Sequence, residues 1–80
     1  MIDADKIREK VQEALPGAEV SLRDLVGDRD HYEMIVVSSA FEGKTTLERH
    51  RLVYAPLRGV LGETLHALAL RTIAPSERTT

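Results

Sequence analysis

Hydrophobic positions recur along the chain with two different periods. Ile7, Val11, Ala14 and Leu15 return at three- and four-residue spacing, which puts them on one face of a helix of about three turns. Asp3 stands where an N-cap belongs, and Pro16-Gly17 stands where the helix must stop. Lys6, Arg8, Glu9, Lys10 and Glu13 fall on the solvated side. From Glu19 to Leu25 the period becomes two, with Val20, Leu22 and Asp24 on one side of an extended strand, and Gly27-Asp28-Arg29-Asp30 reads as a polar turn. A second strand, His31 to Ser38, carries Tyr32, Met34 and Val36 on one face and Glu33, Ile35 and Val37 on the other. An interior that is apolar on both sides predicts a central strand, paired antiparallel with the first.

After the connector Phe41-Glu42-Gly43-Lys44, the residues Leu47, His50, Val53, Tyr54, Leu57 and Leu61 again follow the helical period, from a start near Thr45 or Thr46. Pro56 has no backbone N–H to donate, so a kink or a second short helix is expected after Tyr54, with further weakening at Gly59 and Gly62. A third strand, His66 to Ile73, alternates Leu68, Leu70 and Thr72 with Ala67, Ala69, Arg71 and Ile73. Strand, helix and strand make a crossover, so the second and third strands should be parallel. The expected fold class is α/β in the α+β sense, with the order α-β-β-α-β(-α): one domain, a three-stranded mixed sheet and helices over one face. The tail from Pro75 is expected to fray or to form a single helical turn.

Composition narrows the chemistry. A domain of 80 residues buries roughly 60% of its unfolded surface, so the core is thin. There is little room for an enclosed substrate pocket. The absence of cysteine removes disulfides, a thiolate nucleophile and any metal site built from the chain's own thiolates. Histidine is then the best remaining soft-metal ligand. No run approaches the roughly 20 apolar residues of a membrane span, and the N-terminus is charged where a signal peptide would be apolar, so a soluble, cytoplasmic protein is expected. A net charge of −2 gives no global attraction to phosphate backbones; the local concentration of positive charge is Lys44, Arg49, His50, Arg51 and Arg58.

No catalytic constellation stands out. Ser38 and Ser39 lack an evident His–Asp relay and the acids are scattered, which points away from an enzyme. Phe41 reads as the anchor of the connector, Gly43 as the residue that lets its backbone turn, and His50 and Tyr54 as structural members of the helix stripe. Lys44, Arg49, Arg51 and Arg58 fit a partner-docking face, a phosphate-contacting face or a plain solvated surface. Gly59-Val60-Leu61-Gly62 spells the GxxG of nucleotide-clamping KH domains, with two apolar inner residues in place of basic ones. On residues alone, His66 is a strand-start histidine bonded to backbone and His31 a solvated loop residue.

The block Phe41-Glu42-Gly43-Lys44-Thr45-Thr46-Leu47-Glu48-Arg49-His50-Arg51-Leu52-Val53-Tyr54 resembles the BolA family, and the pattern continues in Leu57, His66-Ala67-Leu68, Thr72, Pro75 and Glu77. The resemblance implies a class II KH-like fold and a non-enzymatic function through partners. BolA-like proteins associate with monothiol glutaredoxins in iron homeostasis and iron–sulfur trafficking, and some members are described as DNA-binding transcriptional regulators. It makes His66, from the family's His-Ala motif, a metal ligand, with a second ligand from the loop before the central strand, where this chain offers His31. The implied cofactor is a [2Fe–2S] cluster shared with glutaredoxin and glutathione and not bound by the isolated protein, which is expected to be a monomer or weak homodimer. Histidine can replace thiolate at one iron of such a cluster, and imidazole ligation competes with protons, so the cluster should be labile in acid.

Overall fold

The computed structural model of the protein describes residues 4–24, 32–61 and 68–78. Helix α1 (Ala4–Ala14) leads into strand β1 (Glu19–Asp24), followed by β2 (Tyr32–Val37), helix α2 (Thr46–Leu61) and β3 (Leu68–Ile73). Short 3₁₀ turns at Ser39–Phe41 and Pro75–Glu77 follow β2 and β3. The sheet has three strands in the order β1-β2-β3, with β1 antiparallel and β3 parallel to β2. The mixed α+β sheet and the central position of β2 are those the alternation predicts. Asp3, Leu25 and the polar turn at 27–30 lie outside the described residues.

Register explains the two-faced pattern. Val20 pairs with Val36 and Leu22 with Met34, while Met34 pairs with Leu70 and Val36 with Thr72. Tyr32, Met34 and Val36 thus point to the covered side, where they are buried with Ile7 and Val11 of α1 and Val53 and Leu57 of α2. Ile35, Val37 and Ile73 share the opposite side and are half-buried. Phe41 is fully buried and fixes the connector to the core. Gly43 follows at φ +73, a left-handed conformation that a Cβ disfavours.

Two expectations change, and one pair of alternatives is resolved. Helix α2 runs through Pro56 without giving way to a second short helix. The missing Pro56 N–H leaves the Leu52 carbonyl without its helical donor, and the burial of Val53 and Leu57 on either side offsets that loss. Leu47, expected on the buried stripe, is 60% exposed. Of the two alternatives for the tail, the single turn is the one formed, at Pro75–Glu77, with the Glu77 amide donating to the Ala74 carbonyl at 2.9 Å.

Candidate functional site

The strands bring their ends together in two groups. At one end, Asp24 pairs with Tyr32 and Tyr32 with Leu68, so β1 leaves and β2 and β3 enter the sheet side by side. His31 precedes Tyr32 by one residue and His66 precedes Leu68 by two; both histidines lie outside the described residues. Among the described residues, no group of three His, Cys, Asp or Glu side chains could hold a metal ion.

The opposite end is bound into a network of hydrogen bonds. Arg49 donates from both terminal guanidinium nitrogens to the two carboxylate oxygens of Glu77, at 2.6 and 2.8 Å, and its Nε–H donates to the Lys44 carbonyl at 3.0 Å. Glu77 Oε1 also accepts from the Ala74 amide at 3.0 Å. Bidentate pairing of this kind fixes orientation as well as charge. The Arg49 bond, and then the Ala74 amide, hold the Glu77 carboxyl down at about 2, and the same partner raises the Arg49 guanidinium above its ordinary value. Ser76 donates to Glu42 at 2.6 Å and Arg78 to Glu19 at 2.6 Å, so the last turn is tied to the connector and to β1. Arg49, grouped by sequence with the candidate partner-binding cations, is therefore an internal tie whose side chain is only 11% exposed.

The start of α2 is closed by a capping box. The Glu48 amide donates to Thr45 Oγ1 at 3.2 Å, and the Thr45 amide donates to Glu48 Oε1 at 2.8 Å. That backbone bond is the main reason the Glu48 carboxyl sits below its ordinary value. Lys44, Arg51 and Arg58 are exposed and form no hydrogen bond or ion pair through their side chains among the described residues. His50 is half-buried, its ring edge-on to Tyr54 with centroids 5.9 Å apart and planes at 84°. Gly59, Val60 and Leu61 form the last turn of α2 and not a phosphate-cradling loop; Gly62 lies outside the described residues.

Against known proteins, the family model described as "BolA-like protein" matches residues 9–77. The chain belongs to the BolA-like family. Human BolA-like protein 1 is 41% identical over 78 residues, which is 89% of this chain and 57% of the human one. The DNA-binding transcriptional regulator BolA of Escherichia coli is 37% identical over 82 residues, covering 89% of this chain and 78% of that one. Among solved structures, BolA1 from Arabidopsis thaliana superposes with a TM-score of 0.80 at 39% identity, covering 95% of each chain. The chain thus spans little more than half of its human relative.

Within this BolA-like fold, sequence reasoning passed over Glu77 and Ser76 as side chains with a structural task. Their partners, Arg49 and Glu42, are 28 and 34 residues away, beyond any local pattern. A local signal did exist for a stripe along α2 beside its buried face: Leu47, Arg51, Tyr54 and Arg58 follow i, i+4, i+7 and i+11 spacing, with Tyr54 bordering the core.

Proposed function

We propose that this BolA-like protein is a non-enzymatic partner of a monothiol glutaredoxin, sharing with it a [2Fe–2S] cluster in iron–sulfur trafficking or iron regulation. His66 is the ligand taken from the family's His-Ala motif, and His31 supplies the second nitrogen to the same iron. The observation that carries the reading is the pairing of Tyr32 with Leu68. In the sequence, His31 is one residue before Tyr32 and His66 two residues before Leu68, the first residues of neighbouring parallel strands.

The donor chemistry is consistent with shared ligation. A chain without cysteine can offer imidazole to one iron, and the thiolates for the other must come from the partner's cysteine and glutathione. When bound, the cluster supplies one-electron chemistry and a transferable iron–sulfur unit; the chain supplies orientation and a proton-sensitive ligand. Mixing the protein with a glutaredoxin, glutathione, iron and sulfide should change the visible circular dichroism as a heterodimer replaces the glutaredoxin homodimer. An unchanged spectrum without co-elution would sink the reading.

A second reading, sequence-specific or general DNA binding, is supported by the name of the Escherichia coli relative and by Lys44, Arg51 and Arg58, which are exposed and bonded to no carboxylate among the described residues. With Arg49 held by Glu77, these cations allow a salt dependence of about −0.9 in log K for each phosphate they neutralise, so a slope near −3 at most. No duplex binding at low salt removes this reading.

A further inference from the structure

Helix α2 presents two contrasting faces. One buries Val53 and Leu57 in the core. The other carries Leu47, Arg51, Tyr54 and Arg58, which the helical period places one above the other. Leu47 is 60% exposed, and no other large hydrophobic side chain among the described residues is comparably open. Tyr54 is half-buried at the border of the two faces, packed against the core on one side and edged by His50.

The charges around this stripe are unbalanced because of how the neighbouring carboxylates are used. Glu77 is taken by Arg49, Glu42 accepts from Ser76, and Glu48 accepts from the Thr45 amide and hydroxyl. Lys44, Arg51 and Arg58 are left with no bonded carboxylate among the described residues, and Glu48 lies within electrostatic range of Lys44 and Arg51. The face is therefore an apolar and aromatic line flanked by available cations. A nucleic-acid backbone would use the cations and gain nothing from Leu47. A protein surface with an apolar depression rimmed by carboxylates would use all of them, and Tyr, Arg and a solvent-shielded apolar anchor are the residues that dominate protein–protein contacts.

We infer that the Leu47–Arg51–Tyr54–Arg58 stripe, with Lys44 at its head, is a docking surface for an acidic, apolar-centred protein face, and that it holds the partner independently of the cluster. The inference rests on the glutaredoxin reading above and names the surface through which that partner binds. Charge complementarity sets encounter and orientation, Leu47 and Tyr54 supply the desolvated contact, and the histidine end then completes the metal site.

The test is a titration of monothiol glutaredoxin, without iron or sulfide, against the wild type, Leu47→Ala, Arg51→Glu/Arg58→Glu, Lys10→Glu and His66→Ala, with a DNA duplex run in parallel. Leu47→Ala and the double reversal should each weaken the metal-free complex by at least about tenfold, or about 1.4 kcal/mol. Lys10→Glu, a charge reversal on α1, should leave it unchanged. At saturating concentration the stripe variants should still develop the wild-type cluster spectrum, whereas His66→Ala should not. Stripe variants that bind like the wild type overturn the docking surface while leaving the cluster reading intact. Duplex binding that falls with Arg51→Glu/Arg58→Glu, alongside a glutaredoxin affinity indifferent to Leu47→Ala, assigns the stripe to nucleic acid. A wild type that forms neither the metal-free complex nor the shared cluster removes both the reading and the inference.

Discussion

Where β2 and β3 finish, Arg49 bridges to Glu77, Ser76 to Glu42 and Arg78 to Glu19, over a fully buried Phe41. Where the same strands begin, β2 at Tyr32 and β3 at Leu68 are joined in register, and in the sequence His31 precedes the one by one residue and His66 the other by two. The first end holds the fold closed; the second is the end to which the proposed reading assigns its two ligands, His31 and His66. A thin core makes this division useful. Folding free energy gathered at one end leaves side chains at the other free to be selected for binding.

The sharpest way to break the comparison is to empty the closed end. Phe41→Ala removes a fully buried aromatic from the junction of connector, sheet and helix. It should cost about 3–5 kcal/mol, a large share of what a domain of this size holds in reserve. Chemical denaturation should show a much lower midpoint. A loss below about 1 kcal/mol would mean that the connector does not organise this end.

Next in size is the cap of α2. Thr45→Ala deletes the hydroxyl that accepts from the Glu48 amide, leaving the Glu48 side chain able to reach the residue 45 amide. The expected cost is about 1 kcal/mol, read as a shift in midpoint with an unchanged denaturant slope.

The pairing of Arg49 with Glu77 contributes at neutral pH and loses its contribution only in acid. Glu77 is depressed from 4.5 to about 2 by its bonds to Arg49 and the Ala74 amide. Its contribution is present above the unfolded value of 4.5 and is lost as pH falls through about 2. In that window the unfolded chain binds the proton that the folded chain refuses, so stability falls as pH falls. Glu77→Gln should flatten this part of the stability–pH curve and lower stability at neutral pH. A variant curve parallel to that of the wild type between those limits would show that the ion pair contributes nothing in solution.

These residues also show what could be read without coordinates. The two-faced alternation of β2 is visible because Tyr32, Met34 and Val36 meet the helices while Ile35 and Val37 remain half-covered, and a central strand is the simplest place for such a pattern. The helical period of α2 is equally clear, but periodicity does not say how far the covered face extends. Leu47 repeats in phase with the half-buried Tyr54 and not with Val53 and Leu57, and it stands in solvent. Pro56 invites a break that packing overrides. The role of Arg49 is invisible because its partner is fixed by the return of β3 beside β2, a tertiary fact; from sequence it is one cation among several. His31 and His66 become candidates through family resemblance and not through any local pattern, since an isolated histidine is compatible with many surroundings.

The smallest expected change in stability, and the most informative, comes from the open end. If His66 held the fold together, His66→Ala would strand a polar partner and cost about 1–3 kcal/mol, and loss of the cluster would follow from loss of structure. As a ligand with no structural duty it should leave the denaturation midpoint within about 0.5 kcal/mol of the wild type while abolishing the cluster spectrum of the heterodimer. His50→Ala should do the reverse. His50 packs edge-on against Tyr54 on α2, so its removal should lower stability by about 0.5–1.5 kcal/mol beyond any lost burial and leave cluster formation intact in the folded protein. His31→Ala should fall between them on the cluster axis, weakening or shifting the spectrum, because water or another group of its loop can stand in for the second ligand while His66 still holds the iron. Parallel measurements of midpoint and visible circular dichroism on the three variants therefore separate the two ends. A His66→Ala protein with native amide absorption and a normal cluster spectrum would refute the ligand assignment.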